Sequence, residues 1–79
     1  MRVLFFAQLK DATGYESIEF ASAVPLDVEK LWAELVRRFP KLAAHRATVR
    51  LSRNWEYADA QTQFLDTDEV ALIPPVSGG

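Results

Sequence analysis

The sequence has no cysteine, one histidine and three glycines, two of which close the chain. Without cysteine there is no disulfide framework, no thiolate metal site and no thiol nucleophile. A chain without disulfides suits a reducing compartment, and a cytoplasmic location is expected. The lone histidine, His45, has no ligand cluster around it in the sequence and reads as a solvated loop residue, so no metal site is expected. Net charge is only −2, and Lys and Arg are spread along the chain without a basic stripe, which argues against nucleic acid as a partner. Long apolar runs are missing too. Nothing approaches the ~20 residues of a membrane span, and Val3–Ala7 is too short for a signal peptide, so no membrane association is expected.

What is present is a chain of 79 residues, 49% of them hydrophobic, enough for one domain with a single core. Arg2–Gln8 is rich in strand formers and stops before Asp11-Ala12-Thr13-Gly14, which carries turn chemistry. Tyr15–Phe20 alternates and forms a hairpin partner to it. Val28, Leu31, Trp32, Leu35, Val36 and Phe39 recur at helical spacing, with Asp27 as N-cap and Pro40 as stop; Trp32 is then a core residue. Beyond an irregular stretch, Val49–Arg53 and Trp55–Ala58 read as strands around a turn at Asn54. Phe64 and Leu65 read as core plugs ahead of the turn Asp66-Thr67-Asp68. Asp66, Asp68 and Glu69 lack the spacing of a calcium loop and read as a solvated acidic turn. Glu69–Ile73 is the last strand, ended by Pro74-Pro75.

The order β-β-α-β-β-β predicts an α+β domain, a mixed sheet of about five strands over one main helix, with the first and last strands as parallel central neighbours. A helix covers only one face of such a sheet. If Val3, Phe5, Val70 and Leu72 face it, then Leu4, Phe6, Ala71 and Ile73 lie on the other side, where with Pro74, Pro75 and Val76 they form an exposed apolar patch, the expected partner interface. Arg50 and Arg53 fall on opposite faces of their strand, and one of them is a candidate for pairing with an acidic partner group. Trp55 has two readings, a surface anchor or a cap over the core.

The end of the chain is the candidate chemical group. Val76-Ser77-Gly78-Gly79 extends by at most roughly 13–14 Å, enough to enter a cleft in another protein. Gly-Gly is thin, and a terminal glycine leaves its carboxylate sterically open. A carboxylate becomes an acyl donor once one oxygen is turned into a leaving group, for instance by attack on the α-phosphate of ATP. Taken alone, the same four residues also fit an ordinary frayed terminus.

Arg2-Val3-Leu4-Phe5-Phe6-Ala7-Gln8-Leu9, the turn Asn54 with Glu56-Tyr57, and Asp68-Glu69-Val70-Ala71-Leu72-Ile73-Pro74-Pro75-Val76-Ser77-Gly78-Gly79 together resemble the ubiquitin-like sulfur carriers that form the small subunit of molybdopterin synthase. Arg53 and Thr67 depart from that pattern, standing where the family usually has an apolar residue and a glycine. The resemblance implies a β-grasp domain over residues 1–75 and a flexible tail over 76–79. It implies that Gly79 is adenylated by a ubiquitin-activator-like enzyme that uses ATP, that no cofactor is bound by the carrier itself, and that the terminus becomes a thiocarboxylate. It further implies that Val76, Ser77, Gly78 and Gly79 insert into the large synthase subunit, in a heterotetramer of two small and two large chains. There the sulfur passes to cyclic pyranopterin monophosphate to build the molybdopterin dithiolene, so that the small chain is part of a sulfur transferase without being catalytic alone. The thiamine-pathway sulfur carriers and ubiquitin-like protein modifiers share the Gly-Gly end and remain alternatives, although the Pro-Pro pair and the aromatic first strand argue against the thiamine pathway.

Overall fold

The computed structural model describes residues 1–75. Strand β1 spans Arg2–Phe5, a short helix α1 spans Gln8–Thr13, and β2 spans Ser17–Glu19. The main helix α2 (Val28–Arg38) leads through a 3₁₀ segment (Pro40–His45) into β3 (Arg50–Arg53), β4 (Glu56–Tyr57) and β5 (Glu69–Ile73). The sheet order is β2-β1-β5-β3-β4. Only β1 and β5 run parallel; the remaining pairs are antiparallel. β5 is therefore the central strand, with a partner on each side.

Helix α2 follows from its spacing and its caps. The Asp27 carboxylate accepts the Lys30 backbone N–H at 2.8 Å, a cap worth about 1 kcal/mol. Leu31, Trp32 and Leu35 are buried against the sheet, each contributing roughly 1.5–3 kcal/mol. The Phe39 N–H closes the last turn onto the Leu35 carbonyl, and Pro40 then opens the 3₁₀ segment, whose Leu42 is fully buried. That segment lay inside the stretch expected to be irregular.

The first connection differs from the sequence reading. β1 ends at Phe5, and the next residues form α1 where a continued strand and a turn were expected. Ala7, at φ 51°, bends the chain; Gly14, at φ 81°, closes the helix by donating to the Lys10 carbonyl at 2.7 Å. Leu9 and Thr13, four residues apart, are the buried side of α1. β2, β3 and β4 are each shorter than expected, whereas β5 has the expected bounds.

The inner face is built from Val3, Phe5, Val70, Leu72 and Leu51, all buried. Phe64 joins this core and fixes the long β4–β5 connection by exchanging two backbone hydrogen bonds with Leu26, at 2.7 and 2.9 Å. Leu65 does not plug the core. It is 38% exposed, because the extended backbone that points Phe64 inward points its neighbour outward.

Candidate functional site: the outer sheet face and the root of the tail

Register assigns the outer face residue by residue. Leu4 of β1 pairs with Ala71 of β5, Ala71 with Ser52 of β3, and Ser52 with Tyr57 of β4, giving one continuous row. Ile73 and Arg50 form the adjacent row toward the end of β5. No helix lies in these rows, since α2 packs on the opposite side of the sheet. Leu4, Ile73 and Pro74 are half-buried, and Phe6 and Pro75 are exposed. Ala71 departs from expectation: it is only 2% exposed. The cause is a contact across the sheet. The rings of Phe6, just beyond β1, and Trp55, in the β3–β4 turn, lie 6.5 Å apart between centroids. Because β5 lies between β1 and β3, this pair bridges the outer face of β5 and roofs its small alanine.

Trp55 is thus a surface residue of this face and not a cap over the core; it is 62% exposed, while Phe6 is 37% exposed. It reaches there through an unusual turn. Asn54 and Trp55 have φ values of 49° and 69°, the double positive φ of a two-residue type I′ hairpin. A bulky side chain in that region costs about 1–2 kcal/mol. Hydrogen bonds hold the turn there: the Asn54 N–H donates to the Glu69 carbonyl at 2.7 Å, and the Glu69 N–H donates to Asn54 Oδ1 at 2.9 Å.

Asp68 is the hub of this arrangement. Its carboxylate accepts from Arg53 Nε at 2.7 Å, from Asn54 Nδ2 at 3.0 Å and from the Leu65 N–H at 2.7 Å. Burial pushes this carboxyl up, but the Arg53, Leu65 and Asn54 hydrogen bonds together with the Arg53 charge outweigh burial and hold it below its ordinary 3.8. Arg53, on the helix-facing side of β3, is therefore consumed internally, which explains how a cation is tolerated there. Thr67 has no positive φ and so needs no glycine. Asp66 accepts the Ser22 N–H at 2.8 Å, and that bond, with the amino terminus beside it, lowers its carboxyl. Two residues of the acidic turn are thus structural acceptors.

The folded state binds the Asp68 proton less readily than the unfolded chain. The associated stability is complete above pH 3.8 and is lost as pH falls through the lowered folded value. Asp68→Asn is expected to lower stability at neutral pH by about 2 kcal/mol, since charge-assisted hydrogen bonds are each worth roughly 1.5–3 kcal/mol. Denaturant titration checks the loss. The same variant should also show a flatter decline of melting temperature below pH 4, which a variant merely losing packing would not.

The root of the tail is fixed by β5. Held between two strands, it delivers Ile73, Pro74 and Pro75 at a defined place beside the outer face, and prolines cannot extend the ladder. Val76, Ser77, Gly78 and Gly79 lie outside the described residues. Tyr57, exposed at the far end of the central row, enters the sequence reading only as part of the turn Asn54 with Glu56-Tyr57 and not as a residue of the expected interface, although its two-residue spacing from Trp55 carried that signal. Ser52, in the same row, is buried, and its Oγ has no hydrogen-bond partner among the described residues.

A five-stranded mixed sheet wrapped over one main helix, with a parallel first and last strand and a terminal extension leaving the central strand, defines a ubiquitin-like β-grasp domain. The chain belongs to the ThiS family, whose sequence pattern matches residues 3–79. It is similar to the molybdopterin synthase sulfur carrier subunit of Arabidopsis thaliana, 35% identical over 79 residues that span all of this chain and 82% of the relative. It is also similar to the subunit of that name from Homo sapiens, 34% identical over 82 residues that span all of this chain and 93% of the relative. Among solved structures, SAMP1 from Haloferax volcanii superposes with a TM-score of 0.82 at 28% identity, covering 99% of this chain and 97% of that one.

Proposed function

We propose that this chain is the sulfur carrier of a molybdopterin synthase, with the Gly79 carboxylate as the working group. The observation that carries this reading is the outer face itself. An apolar surface of Leu4, Phe6, Ile73, Pro74 and Pro75, extended by Trp55, lies beside the point where the Gly-Gly tail departs. A protein that must lodge its terminus in a partner's cleft needs a docking surface at that point. The relatives named as synthase sulfur carriers match over the whole chain and supply the pathway.

In this reading a Gly79 carboxylate oxygen attacks the α-phosphate of ATP inside an adenylating enzyme, and pyrophosphate leaves. Sulfide then attacks the acyl-adenylate carbonyl and expels AMP, leaving a thiocarboxylate. The tail next enters the larger synthase subunit, with two carriers and two larger chains per assembly. There its thiocarboxylate sulfur bonds to a carbon of cyclic pyranopterin monophosphate as an oxygen substituent of that carbon leaves, and water then cleaves the acyl–sulfur bond, returning the Gly79 carboxylate. Each dithiolene takes two sulfurs and hence two loaded carriers. The acids, bases and phosphate-binding groups belong to the partners, and the work is cytoplasmic.

Intact mass spectrometry after incubation with ATP, the adenylating enzyme and a sulfur source tests this directly. The expected product has one oxygen of Gly79 exchanged for sulfur, and the loaded carrier then converts the pterin when the larger subunit is added. An unmodified terminus sinks the carrier reading. Adducts joining Gly79 to lysines favour a ubiquitin-like modifier, the second reading, for which the likeness to SAMP1, a small archaeal modifier protein, speaks. A loaded carrier that ignores the larger synthase subunit points to thiamine assembly instead.

A further inference from the structure

Arg50 and Arg53 sit on opposite faces of β3 and meet different fates. Arg53 is neutralised by Asp68 at 2.7 Å. Arg50 lies on the outer face, opposite Ile73 in register, with its guanidinium carbon 3.9 Å from the centre of the Tyr57 ring. Among the described residues it forms no ion pair. Stacking engages the flat side of a guanidinium and leaves its N–H edge open. The side chain has therefore given up its freedom in advance while keeping its donors available, and little further ordering is needed when a partner arrives.

A planar cation held in this way is the complement of a carboxylate, which it binds through two parallel hydrogen bonds. Its position matters as much as its charge. Ile73 directly precedes Pro74, so Arg50 stands at the root of the tail and is continuous with the apolar docking surface. It is also a positive point on a chain whose net charge is −2, so a neighbouring acid on the partner is attracted to this spot in preference to the rest of the carrier.

Resting on the sulfur-carrier reading above, we propose that Arg50, clamped by Tyr57, docks on a carboxylate of the larger synthase subunit and sets the orientation in which the tail enters. The partner is thus a protein surface with an apolar patch and an acidic side chain beside the mouth of its cleft. Tyr57 is a positioning residue for the guanidinium.

Stopped-flow association of the full chain with the larger subunit provides the test. Arg50→Glu is expected to slow association about tenfold at low salt, with the difference shrinking as salt rises. Arg50→Lys keeps the association rate but dissociates several-fold faster, because a point charge lacks the fork. Tyr57→Leu does the same by freeing the guanidinium. Arg37→Gln, on the exposed side of α2 and paired with Glu34, leaves both rates unchanged. An Arg50→Glu chain that melts like wild type and associates at the wild-type rate overturns the inference while leaving the carrier reading intact. Slowed binding to the adenylating enzyme alone overturns the assignment to the larger subunit. A wild-type chain that fails to bind the larger subunit overturns both.

Discussion

Removing Gly79, or extending the chain by one residue, is expected to bring sulfur delivery down to background while leaving the domain folded. The chain has no cysteine, so no thiol in the carrier can replace the terminal carboxylate as the site of sulfur attachment. An added residue moves the acyl carbon by up to ~3.5 Å, and misplacement by about 1 Å already costs on the order of 100-fold in a positioned reaction. The extended chain should therefore be slower than wild type by at least that factor. Single-turnover conversion of the pterin by preloaded carrier measures the effect on delivery, and thiocarboxylate yield measures the effect on loading. Full activity of an extended or amidated chain in both assays is the result that defeats the proposed chemistry.

Phe6→Asp should weaken binding to the larger subunit by at least about 30-fold, the equivalent of a hot-spot loss of about 2 kcal/mol. Phe6 is already 37% exposed in the free chain, so the charge is solvated there and the fold survives. On docking the same charge would be buried without a partner, which adds to the penalty. Trp55→Gly probes the other half of the pair. Glycine relieves about 1 kcal/mol of left-handed strain, offsetting a ring contact worth about 1 kcal/mol. Its melting temperature should stay within a few degrees of wild type while affinity falls. Calorimetric titration of both variants, alongside thermal melts, separates binding from folding. Wild-type affinity in a folded Phe6→Asp chain would show that this face does not dock.

Much of the architecture is legible in the sequence because it obeys simple periods. The helical stripe from Val28 gives α2 to within a residue, since burial recurs every three or four positions and Asp27 and Pro40 mark its ends. Parity along β1 and β5 correctly puts Val3, Phe5, Val70 and Leu72 on the inner face. What was not legible depends on contacts between distant segments or on backbone geometry with no sequence mark. Ala7 bends the chain at a positive φ without being glycine, so β1 looked longer and α1 was hidden. Leu42 is buried on a 3₁₀ segment too short to show a period. Ala71 is covered by a Phe6–Trp55 contact that alternation within β5 cannot reveal. The roles of Arg50 and Arg53 became distinct only once Asp68 and Tyr57 were placed beside them. The tail was read from chemistry and resemblance, and its residues lie outside those described.

The parallel pairing of β1 with β5 has a consequence for biosynthesis. The middle of the sheet joins the first strand of the domain with the last, so it stays open until β5 has been made and has left the ribosome. Such long-range pairing folds slowly compared with local hairpins and helices. A prematurely terminated product would lack the strand that every inner layer packs around, and would remain unfolded. Possession of the native sheet thus certifies that translation has passed Ile73, the last residue of β5.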